Sequence, residues 1–329
     1  MPRRLRILCV ANKVLPENDY RLAFGQLSEL SDVDYAWPEA PGKASPKVVH
    51  PLALGEGLRV ADAVAFIRLF LFLRRNSANY DLVHFFSTKL QLFGPWLAFA
   101  AGTPCICTFT GFGRTFSRGD LLFRCLRPVY IVLAAISIWL SRATLFQNRA
   151  DMQWLQEQLP RLRGKMFWVG SGVDTEAVET KSFHDTKLQV LFVGRLMNDK
   201  GVSLVLETAR QLDPDKFQVT IIGPASLGEP QTQAQVAEAD CAGIVNYLGE
   251  LPASNVAQQY RRHHLFLFPS RYGEGLPRVM LEAGFGLLCP IAHAIPANRD
   301  LISHDRAVVL DDSADGAAIA SQLRQLEEN

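Results

Sequence analysis

Two glutamates eight residues apart, Glu274 and Glu282, stand in the segment "RYGEGLPRVMLEAGFG". Pro277 lies between them and suits the first position of a helix, because its missing N–H costs nothing there. The backbone N–H groups of Gly275 and Leu276 would then point out of the helix start, where anions bind. A carboxylate beside an anion site suits a ligand that carries both phosphates and hydroxyls, and a nucleotide-sugar is such a ligand.

The segment "FVGRLMNDKG" supplies two cations near the predicted end of a strand. That strand is predicted to end at Gly194; Arg195 follows it, and Lys200 comes just before a helix. Ligands of α/β sheets bind at the carboxyl ends of the strands. The planar fork of an arginine and the point charge of a lysine together suit a diphosphate. Taken alone, the segment would more often mean two solvated loop charges.

Apolar, β-branched runs alternate with helical patterns along the chain, and these elements must position the charged groups. Strands are predicted at 5–11, 82–86, 104–110, 143–148, 188–194, 217–223, 244–249, 265–270 and 288–292. Helices are predicted at 57–76, in the run ending near Ala101, and at 201–212, 231–242, 254–262 and 277–287. Such alternation predicts one parallel sheet in each half, covered on both faces.

The totals favour a globular protein of two domains. The chain has 329 residues, of which 48% are hydrophobic and 20% are charged, and domains average about 150 residues. The six cysteines show no metal-ligand spacing, which favours reduced thiols. The apolar run near the N-terminus covers only 7–11, so it predicts a first strand rather than a signal peptide. A cytoplasmic location is therefore predicted.

Charge is divided unevenly between the two halves. Residues 1–170 hold 21 Lys/Arg and 12 Asp/Glu, a net charge of +9, whereas residues 171–329 carry a net charge of −8. Arginines also adjoin apolar runs at 65–76 and at 128–140. This pairing is typical of proteins that lie on anionic bilayers. For 128–140 itself a buried helix is the favoured interpretation, since 13 residues fall short of the ~20 that a spanning helix needs; a helix that lies on the bilayer is the alternative.

Taken together, these motifs resemble the retaining glycosyltransferases of family four. The pattern Glu-x7-Glu after "PS" is preceded by "GRL…KG", and "SGVDTEAV" (171–178) matches the linker that leads into the donor domain of that family. The stretches 83–113 and 145–152 are similar to members that build capsule, O-antigen and other polyprenyl-linked glycans. The resemblance implies the α/β GT-B fold, with two Rossmann-like domains facing a cleft: an acceptor domain at 1–168 and a nucleotide-sugar donor domain at 169–329.

The resemblance also implies roles for the donor residues. Gly194, Arg195 and Lys200 would hold the pyrophosphate, the leaving group, whose charge grows in the transition state. The N–H groups of Gly275 and Leu276 would bind its distal phosphate. Glu274 would hold hydroxyls of the donor sugar, with a catalytic role alongside the two cations, and Glu282 would hold the ribose. The departing phosphate would deprotonate the acceptor, so a two-carboxylate glycosidase scheme does not apply.

Acceptor-side residues are expected in the first domain, at Lys89, Thr110 and Gly111. Relatives carry a histidine where this chain has Thr110, and a threonine hydroxyl cannot act as a base at neutral pH. Relatives also have a glycine pair after the first strand, whereas 12–20 contains no glycine. Asp311-Asp312 falls in a late turn and is expected to be solvated. No cofactor, metal ion or nucleic acid is expected.

The function indicated is transfer of a sugar, from a donor expected to be UDP-linked, to a lipid-linked or glycan acceptor in cell-surface polysaccharide synthesis. The partners expected are the donor, the acceptor and an anionic membrane surface. A GT-B nucleotide-sugar epimerase and a non-catalytic GT-B partner subunit are the alternatives. A dehydrogenase is disfavoured because no G-x-G-x-x-G follows the first strand. Relatives usually continue beyond the last predicted helix, so the chain is expected to be naturally short or part of a longer protein.

Overall fold

The computed structural model of this chain describes residues 3–12, 31–38, 48–52, 54, 60–112, 116, 121–173, 187–226, 228–271, 276–296, 298–299, 301–302 and 307–328. The chain divides into two compact units. The first comprises Met1–Asp174 with Gly273–Leu276, and the second comprises Thr175–Tyr272 with Pro277–Asn329. Each unit is built on its own parallel sheet.

The first unit contains a six-stranded parallel sheet in the order β2-β1-β3-β4-β5-β6. Its strands are β1 (Leu5–Val10), β2 (Ser31–Ala36), β3 (Leu82–Phe86), β4 (Cys105–Phe109), β5 (Ala143–Phe146) and β6 (Met166–Trp168). Its helices are α1 (Val60–Asn76), α2 (Thr88–Ala101), α3 (Leu121–Leu140) and α4 (Arg149–Gln158), with 3-10 turns at Ser77–Asn79 and Pro160–Lys165.

The second unit repeats this plan with the sheet order β12-β11-β10-β7-β8-β9, again all parallel. Its strands are β7 (Leu188–Val193), β8 (Phe217–Ile222), β9 (Asn246–Tyr247), β10 (Leu265–Phe268), β11 (Cys289–His293) and β12 (Val308–Leu310). Its helices are α5 (Val202–Ala209), α6 (Pro230–Cys241), α7 (Ala253–Arg262), α8 (Arg278–Phe285) and α9 (Gly316–Glu328), with a 3-10 turn at Asn198–Lys200.

Both faces of each sheet are packed, because successive side chains of a strand point to opposite sides. In β7, Phe192 packs into one core cluster with α5, while Leu191 belongs to another cluster that includes Tyr260 and Met280. All four residues of β10 are buried, as expected of a central parallel strand. The prediction of one parallel sheet per half is therefore confirmed.

The strand predicted at 244–249 is wrong in extent, since β9 contains only Asn246–Tyr247. Gly243 and Gly249 have φ angles of 70° and 69°, a left-handed conformation that does not continue a strand. The strands β2, β6 and β12 were not predicted. All three are outer strands of their sheets, and β6 and β12 are only three residues long.

The helix around 128–140 is not buried, which corrects the simpler expectation for this segment. It begins at Leu121, and only one of its sides faces the core of the first unit. Tyr130, Ala134 and Ile138 are buried, whereas Val132 and Trp139 are 58% and 62% exposed. Of the helices in the described ranges, none is both long and apolar enough to cross a bilayer.

Candidate functional site

The two predicted cations lie at the carboxyl edge of the second sheet. Arg195 follows β7 after Gly194, and Lys200 ends the 3-10 turn that leads into α5. Gly201 has a φ of 81°, and a Cβ atom on it would lie 2.5 Å from the carbonyl oxygen of Pro269. Glycine at this position therefore lets the turn that carries Lys200 pack directly against the end of β10.

A second glycine contact holds the neighbouring loop close to the same edge. Gly223 follows β8 with a φ of 148°, and a Cβ atom on it would lie 1.8 Å from the carbonyl oxygen of Gly194. The N–H of Gly194 donates to the carbonyl of Ile222 at 2.9 Å. The backbone beside Arg195 is thus fixed by contacts that no larger residue permits at position 223.

Side chains that the sequence did not single out fix the turn before Lys200. Glu229 accepts hydrogen bonds from the N–H of Asn198 at 2.7 Å and from the Thr232 hydroxyl at 3.1 Å. The hydroxyl of Ser270, a buried residue after β10, donates to the carbonyl of Asp199 at 3.4 Å. These partners are distant in sequence, and no local pattern could have indicated them.

Lys200 lies in an environment that disfavours its charged form. Burial is the main cause, the nearby Arg195 adds repulsion, and Asp199 partly offsets both, so that the pKa of Lys200 falls to about 8. The charged form of a cation that is repelled by a second cation is stabilised most when an anion binds between or beside the two. The arrangement therefore favours a ligand with at least two negative charges.

Glu282 is the fifth residue of α8, and two neighbours hold its carboxylate. The Tyr260 hydroxyl donates to Oε2 at 3.1 Å, and Arg278 donates to Oε1 at 3.4 Å. Burial raises the pKa of Tyr260 well above its ordinary value, and the charge of Glu282 adds to the shift. The helix α8 follows β10, which pairs with β7, so Glu282 and the two cations belong to adjacent strand-and-helix segments of one sheet.

The remaining donor-side predictions fall at the start of α8. Glu274 and Gly275 lie outside the described residues, and Leu276 is half-buried. Pro277 is the N-cap rather than the first helical residue, and the helix begins at Arg278. Among the side chains that are described, none caps the first turn of α8, which leaves its N–H groups suited to an anion.

In the first unit, the predicted acceptor-side residues follow two adjacent strands. Lys89 lies in the first turn of α2 after β3, and its ammonium donates to the carboxylate of Asp62 at 2.5 Å. Both side chains are largely buried, with 13% and 4% exposed. Thr110 and Gly111 follow β4; Thr110 is half-buried, and Gly111 is buried with a φ of 108°. Sequence reasoning missed Asp62, which fixes the position of the lysine.

A second carboxylate near this loop was also missed. Burial raises the pKa of Asp151 to about 6, although hydrogen bonds to Asn148 and to the backbone of Phe112 oppose the shift. Asn148 in turn accepts from the Asp151 N–H at 2.6 Å and so caps α4. His84, in β3, shares a hydrogen bond with the Thr108 hydroxyl at 2.7 Å. Burial lowers the pKa of His84 to about 3, so it is neutral.

Among the described residues, no group of three His, Cys, Asp or Glu side chains could hold a metal ion. Asp311 and Asp312 are exposed after β12, as expected, and the carbonyl of Asp312 accepts from Arg271.

Comparison with known proteins gives a family match for the second half of the chain. Residues 174–329 match the family model described as "Glycosyl transferases group 1". A curated relative is the putative colanic acid biosynthesis glycosyltransferase WcaL of Escherichia coli K12, 26% identical over 150 residues. That match covers 42% of this chain, and the chain spans only 36% of the length of that relative.

Solved structures resemble the whole chain. Anabaena HepE, solved in complex with UDP and glucose, has a TM-score of 0.75 at 15% identity, covering 99% of this chain and 90% of that one. Sucrose-phosphate synthase from Thermosynechococcus elongatus has a TM-score of 0.77 at 15% identity, with the same coverage. The chain therefore has the GT-B fold, and its residues 174–329 match the group 1 glycosyl transferase model.

Proposed function

We propose that the protein is a retaining hexosyltransferase of family four. It would move a sugar from a UDP-sugar to a lipid-linked or glycan acceptor in the synthesis of a cell-surface polysaccharide. The observation that carries the proposal is the pairing of Arg195 with Lys200 at the carboxyl edge of the second sheet, where burial and mutual repulsion lower the pKa of Lys200 to about 8. A diphosphate is the ligand that best relieves this repulsion.

The donor assignment draws on three further features. Residues 174–329 match the group 1 glycosyl transferase model, and Anabaena HepE was solved with UDP-glucose as well as with UDP. Glu282 is held by Tyr260 and Arg278 in an orientation that would let it accept hydrogen bonds from the ribose. Glu274 would hold the donor sugar, and the N–H groups of Gly275 and Leu276 the distal phosphate.

In the proposed mechanism, stabilisation of the leaving group drives the reaction. The bond between the anomeric carbon and the donor phosphate breaks while the acceptor oxygen attacks from the same face. Arg195 and Lys200 stabilise the charge that develops on the diphosphate, which is the larger part of catalysis in such sites. The departing phosphate takes the acceptor proton. Because the acceptor attacks on the face that the phosphate leaves, the anomeric configuration is retained. The reaction needs no metal ion, because the two cations neutralise the leaving group.

The acceptor would bind to the first unit, with Lys89, Thr110 and Gly111 on its side of the reaction. We place the protein in the cytoplasm, peripherally on the inner face of the plasma membrane. The net charge of +9 on residues 1–170 supports this, as do the apolar residues exposed on α1, among them Ile67, which is 59% exposed. A soluble epimerase would gain nothing from such a surface.

A thermal-shift panel tests the proposal. We expect UDP and one or more UDP-sugars to raise the melting temperature, since a ligand at a hundred times its Kd adds about 2.7 kcal/mol of stability. GDP-sugars, NAD and nucleoside monophosphates serve as controls. The donor assignment would be contradicted if NAD alone raised the melting temperature, or if neither UDP nor any UDP-sugar did so.

A further inference from the structure

The outward side of α3 carries a line of apolar side chains that ends in a groove. Val129, Val132, Ile136 and Trp139 recur every three or four residues, so they share one side of the helix. Val129 is 53% exposed, Val132 58% and Trp139 62%. At 20 residues, the helix extends about 30 Å, and its last two turns form one wall of the groove.

The groove lies between α3 and the 3-10 turn that precedes β6. Its volume is about 660 Å³, within the ~300–1,000 Å³ typical of small-molecule sites. Six of its eight lining residues are apolar: Ala135, Ile136, Trp139, Leu159, Pro160 and Leu162. The other two are Gln158 and Arg161. Such a wall suits a hydrocarbon chain rather than a sugar or a nucleotide.

The groove lies at the opposite edge of the sheet from Thr110. The helix α3 ends directly before β5 begins, and the N–H of Arg142 donates to the carbonyl of Cys105, the first residue of β4. These contacts place the end of α3 at the amino edge, whereas Thr110 follows the carboxyl end of β4. The groove is therefore distinct from the proposed acceptor residues.

Cationic residues lie close in sequence to the lining residues, and one of them, Arg161, lines the groove itself. Arg142, Arg161 and Arg163 are exposed, and Lys165 donates to the carbonyls of Trp139 and Ser141 at 2.5 and 2.8 Å. Glu157 is the nearest acidic residue along the chain on the α4 side of the groove. An apolar groove with a positive rim is complementary to a molecule with a hydrocarbon chain and an anionic head.

We propose that this groove binds the hydrocarbon chain of an anionic membrane lipid, whose head group contacts Arg161 and Arg163. The inference rests on the proposed membrane location and not on the proposed sugar transfer. Occupancy by a bilayer lipid would anchor the first unit at a point remote from the acceptor residues. It would add an apolar contribution to the attraction that arises from charge alone.

Monomeric 12-bromododecyl phosphate is a direct probe, because bromine quenches tryptophan fluorescence on contact. We expect saturable quenching in the wild type that is lost in Trp139→Phe, although four other tryptophans remain. Ala135→Phe fills the groove and should weaken binding at least tenfold. The matched control is Val60→Phe, at a 91%-exposed position on α1, which should change nothing. If Ala135→Phe fails to fold, Ile136→Gln replaces it.

The charged rim is tested separately. Arg161→Ala with Arg163→Ala should weaken binding of the bromododecyl phosphate about thirtyfold, since each arginine near an anionic group contributes about fivefold. Binding of neutral 12-bromododecanol should not change. Arg210→Ala with Arg262→Ala, at exposed positions of the second unit, is the control pair and should bind like the wild type.

Quenching that is unaffected by Trp139→Phe, Ala135→Phe or the arginine pair would overturn the proposal. So would a concentration-dependent dimer in sedimentation analysis that Ala135→Phe dissociates, because a second copy would then cover the groove. The assay needs no sugar transfer. A protein that binds the probe but transfers no sugar therefore refutes the proposed function alone, and the converse result refutes the lipid site alone.

Discussion

At the residue scale, Lys200 is the group whose chemistry is most constrained by its surroundings. Its pKa in the folded protein, about 8, lies below the ordinary value of a lysine near 10.4. The unfolded chain therefore holds this proton over a pH range in which the folded protein has lost it. The free-energy cost of burying the charged lysine is therefore present in full below about pH 8, and it decreases as the pH rises above 8.

Binding of a diphosphate should reverse that shift and take up a proton. At pH 8, Lys200 of the ligand-free protein is about half protonated. A bound diphosphate places an anion beside it and raises its pKa, so UDP binding should take up about half a proton. At pH 6 uptake through this residue should be close to zero. Calorimetric titrations in two buffers with different ionisation enthalpies measure this. Equal enthalpies in both buffers at pH 8, or an affinity that rises between pH 7 and pH 9, would contradict the assignment.

Loss of Arg195 should affect turnover more than folding. Arg195→Ala removes a charge-assisted contact to the leaving group and should cost about 2–4 kcal/mol of transition-state stabilisation, or about 30- to 800-fold in kcat/KM. It should also raise the pKa of Lys200, because a repulsive neighbour is gone. Arg210→Ala, at an exposed position just after α5, is the matched control. Equal activity of Arg195→Ala and Arg210→Ala would remove Arg195 from the site.

The two glutamates should differ in what they contribute. Glu282→Ala should weaken binding of UDP itself, because the proposed contact is to the ribose. Tyr260→Phe should weaken UDP binding about fivefold, because it removes one hydrogen bond to Glu282. Glu274→Ala should leave UDP affinity nearly unchanged and reduce turnover. Titrations of the three variants with UDP, set beside their transfer rates, distinguish the roles. The reverse order of effects would exchange or refute them.

At the element scale, two glycines determine how the strand ends meet at the candidate site. Gly223→Ala would place a Cβ atom 1.8 Å from the carbonyl oxygen of Gly194 at a φ of 148°. We expect a loss of about 2–5 kcal/mol in the free energy of unfolding, together with weaker UDP binding. Gly228→Ala is the matched control, since a Cβ atom there meets nothing within 4 Å. Urea denaturation curves that coincide for both variants would show that the contact is not needed.

The elements also show what the sequence could and could not indicate. The central strands β7 and β10 are continuous apolar runs, so their position and the cations that follow β7 were predictable. In contrast, β2 carries Asp32 and Asp34 within a six-residue edge strand, which hides its apolar pattern. The partners Tyr260 and Glu229 act across 22 and 31 residues. Contacts of this kind depend on strand order, which periodicity does not encode.

At the scale of the whole molecule, charge and exposed apolar surface coincide in the first half of the chain. In α1, Arg68 lies among Val64, Ile67 and Leu71, all exposed, and residues 1–170 carry a net charge of +9. Exposed apolar residues beside cations are typical of a surface that lies on an anionic bilayer. The charge asymmetry was evident from the sequence, whereas the exposure of α3 became evident only from its packing.

Removing three arginines of α1 should release the protein from anionic vesicles. Arg68, Arg74 and Arg75 replaced by alanine should reduce partition about a hundredfold, at about 1 kcal/mol for each charge. The control replaces Arg210, Arg262 and Arg299 of the second unit, all exposed, and should partition like the wild type. Cosedimentation with vesicles of phosphatidylglycerol and phosphatidylcholine measures the change. Equal partition onto neutral and anionic vesicles would rule out the electrostatic contribution.

The central claim is that the second unit delivers a sugar from a nucleotide-sugar whose diphosphate is held by Arg195 and Lys200. The most direct measurement is transfer of radiolabelled sugar from a panel of UDP-sugars to lipid-phosphate acceptors in native membrane extracts. We expect label in the lipid fraction with at least one donor, the anomeric configuration of the donor in the product, and no transfer above background by the protein with both cations replaced by alanine. Equal transfer by the wild type and that double variant, or inversion of the configuration, would contradict the account.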